Sequence, residues 1–370
     1  MILVCLISRQ TMQNLLPILQ YRPQRVVFLS TKEEDDSRKH LEPILRAHQI
    51  PYDAPLYVDA YTPDSTAQAC QRVVDRYGAA SLLANVTGGT KIMSLAAVRV
   101  FSTANVPCLY TDTEHKRLLF LHPDGKSAEP LDTRVGVLTY LQAHGQAAHT
   151  RGPDSRLSLP PLATFIGQHI TEIDPFLSRL RYEMRDAPQQ LVFHFSLDGQ
   201  QRNATAAELL QRATHANILD ARRHSTHELE IQFRHEKARR YLEGDWLEDL
   251  VFDAVQRAGF ESRATNIALP WKDDQQKEMN EIDVAVVHNL RFFYLSCKTR
   301  SDPAEIKNHL YELNTLAKLA GGLFNNPILV ASSPKGVPFY IRRRMETLGI
   351  ACIGPEDLPR LVAKLKEIIR

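Results

Sequence analysis

The sequence predicts an α/β protein in two main parts, and three observations carry that expectation. Over residues 1–145 short continuous apolar runs alternate with amphipathic stretches, the pattern of a parallel sheet covered by helices on both faces. A polar stretch with four punctuating residues, Gly152, Pro153, Pro160 and Pro161, then breaks the pattern and has the composition of a linker. The last third sets out an apolar helix, a hairpin bearing an acid and a lysine, another helix and a buried strand, a mixed α/β order.

Composition excludes several classes. A length of 370 residues suits two domains with a smaller piece between them. At 44% hydrophobic and 24% charged residues the chain has the make-up of a soluble globular protein. A net charge of only +2 gives no global basic field, so contacts to nucleic acid would have to be local. The five cysteines, Cys5, Cys70, Cys108, Cys297 and Cys352, are odd in number and contain no C-x-x-C pair. A disulfide framework is therefore not expected, and a reducing cytoplasm fits. The apolar start M-I-L-V-C-L-I-S is cut off by Arg9 and Gln10, which suits a buried strand better than a signal peptide, and no long apolar span suggests a membrane.

In the first part, Ile2 to Ile7, Arg25 to Leu29, Leu56 to Val58 and Ser81 to Val86 are the expected strands. Thr11 to Leu19, residues 32–48, Asp64 to Tyr77 and an apolar segment through Phe101 are the expected helices. Strand alternating with helix gives a doubly wound, Rossmann-like sheet, whose ligands sit beyond the carboxyl ends of the strands. Two strand ends carry suitable chemistry: Ser8, Arg9, Gln10 and Thr11 after the first, and Thr87-Gly88-Gly89-Thr90-Lys91 after the fourth. Paired glycines permit close backbone approach, Thr90 can cap the next helix, and free N–H groups beside Lys91 suit a phosphate. The same residues also suit a plain strand-to-helix turn. The spacing matches neither the Walker A nor the dinucleotide fingerprint.

The stretches S-R-Q-T-M-Q-N-L-L-P, V-V-F-L-S-T-K and N-V-T-G-G-T-K-I-M-S-L-A-A together resemble the CARF domains of CRISPR-associated proteins. That resemblance spans the first part. It implies a dimer that binds cyclic oligoadenylate in a pocket across its two-fold axis. By position the pocket residues would be Ser8, Arg9, Gln10, Thr11, Ser30, Thr31, Thr87, Gly88, Gly89, Thr90 and Lys91.

The middle, 146–235, is expected to hold the linker and a small α+β module of winged-helix-like order. Its elements are a helix at Pro175 to Arg185, a strand at Gln190 to Phe195, a helix at Ala204 to Ala213 and strands at Ile218 to Arg222 and Glu228 to Phe233. His224, His227 and His235 lie near one another in sequence, but without cysteines or an acid cluster at zinc spacing a solvated basic hairpin is the preferred reading. Arg222, Arg223, Arg234, Lys237, Arg239 and Arg240 could meet phosphates there.

In the last part, 236–370, Gly244 to Ala258 is the expected helix, with Trp246, Leu247, Leu250, Val251, Ala254 and Val255 in its apolar arc. Asp249 and Asp253 fall on the opposite side, whereas Glu248 sits at the edge of the arc. A carboxylate there must be paired, protonated or metal-bound, or reach out to solvent. A strand around Glu261 to Leu269 and a charged loop, Lys272 to Lys277, precede two runs, Ile282 to Val287 and Phe292 to Leu295, turned at His288 and Asn289. Paired antiparallel, they bring Asp283 and Lys298 to one end, where a carboxylate and a lysine suit a metal and an activated water. Ile306, Leu310, Leu313, Ala317 and Ala320 form the stripe of a further helix stopped at Gly321-Gly322, and Pro327 to Ala331 a buried strand. This order is that of the PD-(D/E)XK, restriction-endonuclease-like core. That fold uses a helix acid and hairpin acids to hold metal and a lysine to orient hydroxide or stabilise the phosphorane.

G-D-W-L-E-D, N-E-I-D-V, Y-L-S-C-K-T and L-N-T-L-A-K-L-A-G-G-L-F-N resemble the CARF-fused nucleases among CRISPR ancillary effectors. Carried over by position, Glu248 is the helix acid, Asp283 the main metal ligand and Lys298 the catalytic lysine, with Mg²⁺ or Mn²⁺ as the metal. The usual E-x-K is Ser296-Cys297-Lys298 here, and a hydroxyl cannot replace a carboxylate's charge at a hard metal. Glu281, on the same strand face as Asp283, is the first candidate to compensate and Glu312 the second. The backbone carbonyl of Cys297 is a further possible ligand, while its thiol is expected to be structural. The resemblance implies a cyclic tetra-adenylate-activated nuclease acting on DNA, RNA or both, with single strands favoured. Alternatives are a sensor whose nuclease fold has lost turnover through Ser296, and a ring nuclease that cuts its own cyclic ligand.

Overall fold

The computed structural model describes residues 1–123, 128–152, 156–187, 189–199, 201–270, 279–300, 303–319 and 325–370. The charged loop expected at Lys272 to Lys277, Ala320, and the stop at Gly321-Gly322 lie outside them. The chain divides into two compact units, Met1–Ala148 and His149–Lys318 with Phe324–Arg370.

The first unit is built on a seven-stranded sheet of order β3-β2-β1-β4-β5-β6-β7. Its parallel strands are β1 (Ile2–Leu6), β2 (Arg25–Ser30), β3 (Leu56–Tyr57), β4 (Leu82–Asn85) and β5 (Cys108–Asp112). Strands β6 (Arg117–His122) and β7 (Glu129–Pro130) extend one edge antiparallel. Helices α1 (Met12–Tyr21), α2 (Asp35–Ala47), α3 (Pro63–Tyr77) and α4 (Lys91–Thr103) follow the first four strands, and α5 (Val137–Ala143) closes the unit. Val4, Leu6, Val27, Leu29 and Ala84 pack with Cys70 and Val73 of α3 and Met93, Ala97 and Phe101 of α4. Leu3, Cys5 and Phe28, which alternate with them, are fully buried too. Burial on both faces explains why these strands are continuous apolar runs. Since β1 leads outward to β2 on one side and neighbours β4 on the other, the order reverses beside β1. That switch point opens a crevice at the carboxyl ends of β1 and β4.

The second unit begins with β8 (His149–Thr150), which pairs with β12 (Ser262–Pro270). Thus part of the stretch expected as a linker belongs to a sheet, and Pro160-Pro161 opens a helix, as a ring with no N–H to lose allows. Helices α6 (Pro160–Gln168), α7 (Ile170–Met184) and α8 (Ala204–His215) pack beside a three-stranded sheet of β9 (Val192–Ser196), β10 (Leu219–Arg223) and β11 (Glu228–Phe233) in the order β10-β11-β9. A kinked helix follows: α9 (Glu236–Arg240), a π-helical turn over Tyr241–Asp245, and α10 (Trp246–Ala258). Gly259 at φ 78° ends it in a left-handed cap.

The second sheet has six strands in the order β16-β15-β14-β13-β12-β8, where β13 is Met279–His288, β14 Arg291–Lys298, β15 Asn325–Ala331 and β16 Ala351–Ile353. Pairing is antiparallel from β12 to β14 and parallel from β14 to β16. Helices α11 (Pro303–Leu319), α12 (Phe339–Thr347) and α13 (Leu361–Ile368) complete the unit. The hairpin turns at Asn289 and Leu290, both at positive φ, between the paired His288 and Arg291, one residue later than expected. A two-residue turn of this kind needs both central residues left-handed, which Asn289 accepts readily and Leu290 adopts at a cost. One core joins Trp246, Leu247, Val251 and Val255 of α10 to Val284, Val286, Phe293 and Leu295 of the hairpin, and also to α6, α7, α8 and the three-stranded sheet. The segment between the two expected domains therefore shares the hydrophobic core of the second unit.

Candidate functional site

At the switch point of the first unit the sequence-predicted loops meet. The Gly89 N–H donates to Ile7 O at 3.1 Å, and a Cβ on Gly88 would lie 2.0 Å from Leu6 O. Only glycine lets the two loops come this close. Gly89 at φ 76° completes the turn, and the Thr90 hydroxyl accepts the Met93 N–H at 3.2 Å as the cap of α4. A network missed from sequence holds the loop from below. Asn14 Nδ2 donates to Leu6 O at 2.9 Å, Asn85 Nδ2 donates to Asn14 Oδ1 at 3.0 Å, and the Thr87 hydroxyl donates to Asn85 Oδ1 at 2.5 Å. Thr87 Oγ1 also accepts the Thr111 N–H at 2.7 Å.

These bonds sort the predicted ligand residues. Thr87 and Thr90 commit their hydroxyls to neighbouring protein groups, Thr90 donating to Ala60 O at 2.6 Å, and Ser30, buried, donates to Thr31 O at 3.0 Å. Thr31 is buried as well. Ser8 and Gln10 are half-buried and Lys91 is exposed at the start of α4. Arg9 is 88% exposed and meets Glu34 at 3.0 Å. Thr11 Oγ1 is buried with no hydrogen-bond partner among the described residues, a group that a bound polar ligand would satisfy.

In the second unit the cleft forms where β13 and β14 part. Their ladder runs inward from His288↔Arg291 to Val284↔Leu295. Past that pair the Cys297 N–H donates to Asp283 Oδ2 at 2.7 Å, so a side chain takes over from the backbone ladder and is fixed in place. Burial pushes the Asp283 carboxyl above the usual carboxylate range, and Lys298 and the Cys297 N–H act against that shift. The acid and the lysine are thus brought within electrostatic reach of each other, as the hairpin pattern implied. Cys297 packs its side chain into the apolar core, and burial holds its thiol well above the ordinary value, which suits neither a nucleophile nor a thiolate ligand. Its backbone alone is placed for chemistry.

The helix acid arrives from the other side. A cavity of about 360 Å³ is lined by Asp245 and Glu248 at the π turn and start of α10, by Cys297, Lys298 and Thr299 at the end of β14, and by Ile306 and His309 of α11. π turns of this kind recur at functional sites, and this one sets Asp245 one helical step before Glu248, on the same face. Burial raises the Asp245 carboxyl too. Glu248 is half-buried and touches the Arg156 guanidinium. Arg156 reaches Glu281 Oε1 at 2.7 Å as well, and Arg151 stands 3.5 Å from Glu281 Oε2. Glu281 lies close enough to Asp283 to raise it further. Glu248 and Glu281 are therefore arranged around one shared cation, Arg156, which comes from the stretch expected to be a linker. Glu312, the second candidate for compensation, is exposed and pairs with His309 at 2.5 Å.

Asp249 overturns its expected place on the polar side of the helix. It is buried, accepting from Ser158 Oγ at 2.7 Å, the Leu159 N–H at 2.6 Å and the Tyr241 hydroxyl at 2.8 Å. The chain before α6 covers that face of α10, so Asp249 straps Arg156's segment down. The acids Asp245, Glu248, Glu281 and Asp283 offer only oxygen donors, two of them destabilised as anions by burial, a donor chemistry that suits a hard divalent cation, although no three of their oxygens are drawn within 4.8 Å of one another. Sequence reasoning missed Asp245 and Arg156. The three-residue spacing of Asp245 and Glu248 was a usable signal for the first, and none pointed to the second.

Residues 2–140 match the family model described as the Card1 CARF domain, and residues 235–370 match the Card1-like endonuclease domain. The chain therefore joins a Card1-type CARF domain to a Card1-like endonuclease domain. Solved structures of similar fold include protein VC1899 from Vibrio cholerae, at 23% identity and TM-score 0.85, covering 100% of this chain and 97% of that one. Can2 from Sulfobacillus thermosulfidooxidans, solved with cyclic tetra-adenylate, is 22% identical at TM-score 0.78, covering 98% and 96%. A type III CRISPR defence DNA nuclease activated by cyclic oligoadenylate is 15% identical at TM-score 0.57, covering 98% of this chain and 52% of that one. No curated protein sequence matches. These two matches put a CARF domain on the first sheet and an endonuclease domain on the second, as the two sequence resemblances implied.

Proposed function

We propose that this Card1-like chain is a metal-dependent nuclease of type III CRISPR defence, switched on by cyclic tetra-adenylate and cutting DNA or RNA phosphodiesters. The observation that carries the reading is Asp283, fixed by the Cys297 N–H within electrostatic reach of Lys298, while Lys298 itself lines the same cavity as Glu248 and Asp245. Mg²⁺ or Mn²⁺ held by Asp283, Glu248, Glu281 and the Cys297 carbonyl would polarise the phosphate and lower the pKa of water. Asp283 is held in place by the Cys297 N–H at 2.7 Å. Lys298 supplies a charge to orient the attacking oxygen or to meet the developing phosphorane. Ser296 leaves the usual acid position neutral, and Asp245 and Glu281 provide the negative charge that the reading needs, which favours turnover over a silent sensor.

The activator reading rests on the glycine loop, the buried Thr11 hydroxyl and the Can2 structure with its cyclic tetra-adenylate. A two-fold ligand suits two copies of the chain, and Leu95, 72% exposed on α4, offers an apolar contact for the second. Ligand would shift the population toward the arrangement that closes two nuclease domains on nucleic acid. No helix of the described residues is long and apolar enough to cross a membrane, and the five cysteines are free, which supports a cytoplasmic home. Incubating the purified full-length protein with cyclic tetra-adenylate and Mn²⁺ should yield nicked plasmid or RNA fragments, and chelation should abolish them. No cleavage with ligand bound would overturn the enzyme reading, and a shortened ligand in the same mixture would reveal ring-nuclease activity.

A further inference from the structure

Strand register, rather than sequence proximity, assembles a second cluster of metal-binding chemistry. Among the described residues, His194, His224 and Glu230 are the group in which three ligand atoms all lie within 4.8 Å of one another. Glu230 on β11 is directly paired with His194 on β9 and with Arg222 on β10, so all three side chains share one face of the three-stranded sheet. The flanking Leu229 and Ile231 point to the opposite face and join the apolar core. His224 follows β10, where its N–H donates to Glu228 O at 3.1 Å and fixes the turn. His224 Nε2 stands 3.0 Å and His194 Nδ1 3.6 Å from the same carboxylate oxygen, Glu230 Oε2. Arg222 faces the other oxygen, Oε1, at 3.8 Å. His227 does not join this group, and His235 caps α9 through its Nδ1, so the sequence-adjacent histidines were the wrong set.

We propose that His194, His224 and Glu230 form a binding site for a borderline divalent transition metal, zinc or its analogues, separate from the nuclease acids. Donors about 2.0–2.1 Å from a tetrahedral zinc stand roughly 3.3–3.4 Å apart, which the two imidazole–carboxylate separations bracket. Two imidazoles and one carboxylate select Zn²⁺, Co²⁺ or Ni²⁺ and discriminate against Mg²⁺, the reverse of an all-oxygen site. Glu230 is only 15% exposed at its side chain and sits between both imidazoles, so it presents a positioned carboxylate ligand. The two histidines are open to solvent, which leaves room for water as a fourth ligand. A metal here ties β9, β11 and the turn after β10 together, acting as a clasp on the small sheet rather than as a reaction centre.

The test uses the full chain carrying Asp283→Asn, so that metal bound at the nuclease acids does not obscure the signal. Titrated with Zn²⁺ after chelator treatment, this parent should bind one ion per chain, and Co²⁺ should give the visible absorption of a tetrahedral site. Zn²⁺ should raise its melting temperature where Mg²⁺ does not. Adding His224→Ala or His194→Ala should weaken Zn²⁺ binding by at least about 10-fold and remove the Co²⁺ band, with circular dichroism confirming the fold. Each histidine variant with Asp283 intact should cut nucleic acid as the unmodified chain does. A parent that binds no Zn²⁺, or histidine variants that bind it as tightly as the parent, would overturn the proposal and leave the cluster as a hydrogen-bonded ion pair.

Discussion

The crevice of the first unit and the cleft of the second both sit at strand ends, yet they solve opposite electrostatic problems. In the crevice the backbone is the working material: glycines bring N–H groups close, and side-chain hydroxyls such as Thr87 and Thr90 are consumed in holding the loop. Lys91 and Arg9 bring positive charge, though Arg9 is paired with Glu34. The cleft gathers Asp245, Glu248, Glu281 and Asp283, and burial makes two of them reluctant anions. The crevice thus offers backbone and Lys91 to a ligand, whereas the cleft sets its carboxylates among the cations Arg156 and Lys298 and, on the function proposed above, takes a further cation from outside.

The largest effect that would sharpen this contrast is at the hairpin. Asp283→Asn removes the anchored acid, and Lys298→Ala the charge beside it; each should lower the cleavage rate by about 10³-fold or more, measured in single turnover with saturating Mn²⁺. Equilibrium binding of cyclic tetra-adenylate should stay within two-fold of wild type in both. If ligand affinity falls along with cleavage, the two sites are not chemically independent and the comparison fails. The mirror experiment is Gly88→Ala. Its new methyl would meet the Leu6 carbonyl oxygen at 2.0 Å, backbone against backbone with no flexible end to yield. It should cost about 1–3 kcal/mol of stability, seen as a lower melting temperature, and abolish ligand binding, while leaving metal binding in the second unit intact.

How far each site was legible follows the same division. The crevice is local: strand, glycine pair and helix cap are consecutive residues, so the apolar alternation and T-G-G-T-K located it together. What stayed hidden was the Asn14–Asn85 support, polar residues buried only because two distant segments share them. Strands β5 and β8, the antiparallel edge β6–β7, the helices α5, α6, α9, α12 and α13, and β16 were also missed, being short or weakly patterned. In the cleft the acid and lysine were visible because a hairpin folds sequence neighbours together. Arg156 was not, since a single arginine between prolines carries no periodicity, and only the strap through Ser158, Leu159 and Asp249 brings it to Glu248. His194 and His224 failed for the same reason: strand register, not spacing, makes them neighbours.

Arg156 offers a finer test of the charge balance in the cleft. If it holds the acids apart as a resident cation, Arg156→Ala should lower the half-saturating Mn²⁺ concentration several-fold and should also lower the melting temperature of the metal-free protein, because carboxylates lose their partner. A rise in the Mn²⁺ requirement would make Arg156 a substrate-positioning residue instead.

The smallest expected effects have opposite signs in the two units. In the first, Arg38 bonds Asp35 at 2.8 Å and, against the opposing cost of burial, holds its carboxyl down at about 2. A depressed value adds stability that is present above the unfolded pKa, near 3.9, and is lost as pH falls toward 2. Asp35→Asn should therefore cost a few tenths to about 1 kcal/mol at pH 7 and flatten the acid limb of the stability curve. In the second unit, burial raises the Asp245 carboxyl, so its ionisation opposes folding increasingly as pH climbs above the unfolded value. Asp245→Asn should stabilise the metal-free protein at pH 7, with the gain vanishing at low pH where both states are protonated, and should weaken Mn²⁺ binding. Thermal unfolding of both variants across pH 3 to 8 checks the pair. If Asp245→Asn loses stability at pH 7 as Asp35→Asn does, the cations beside it, Arg156 and Arg240, already balance its charge in the metal-free protein.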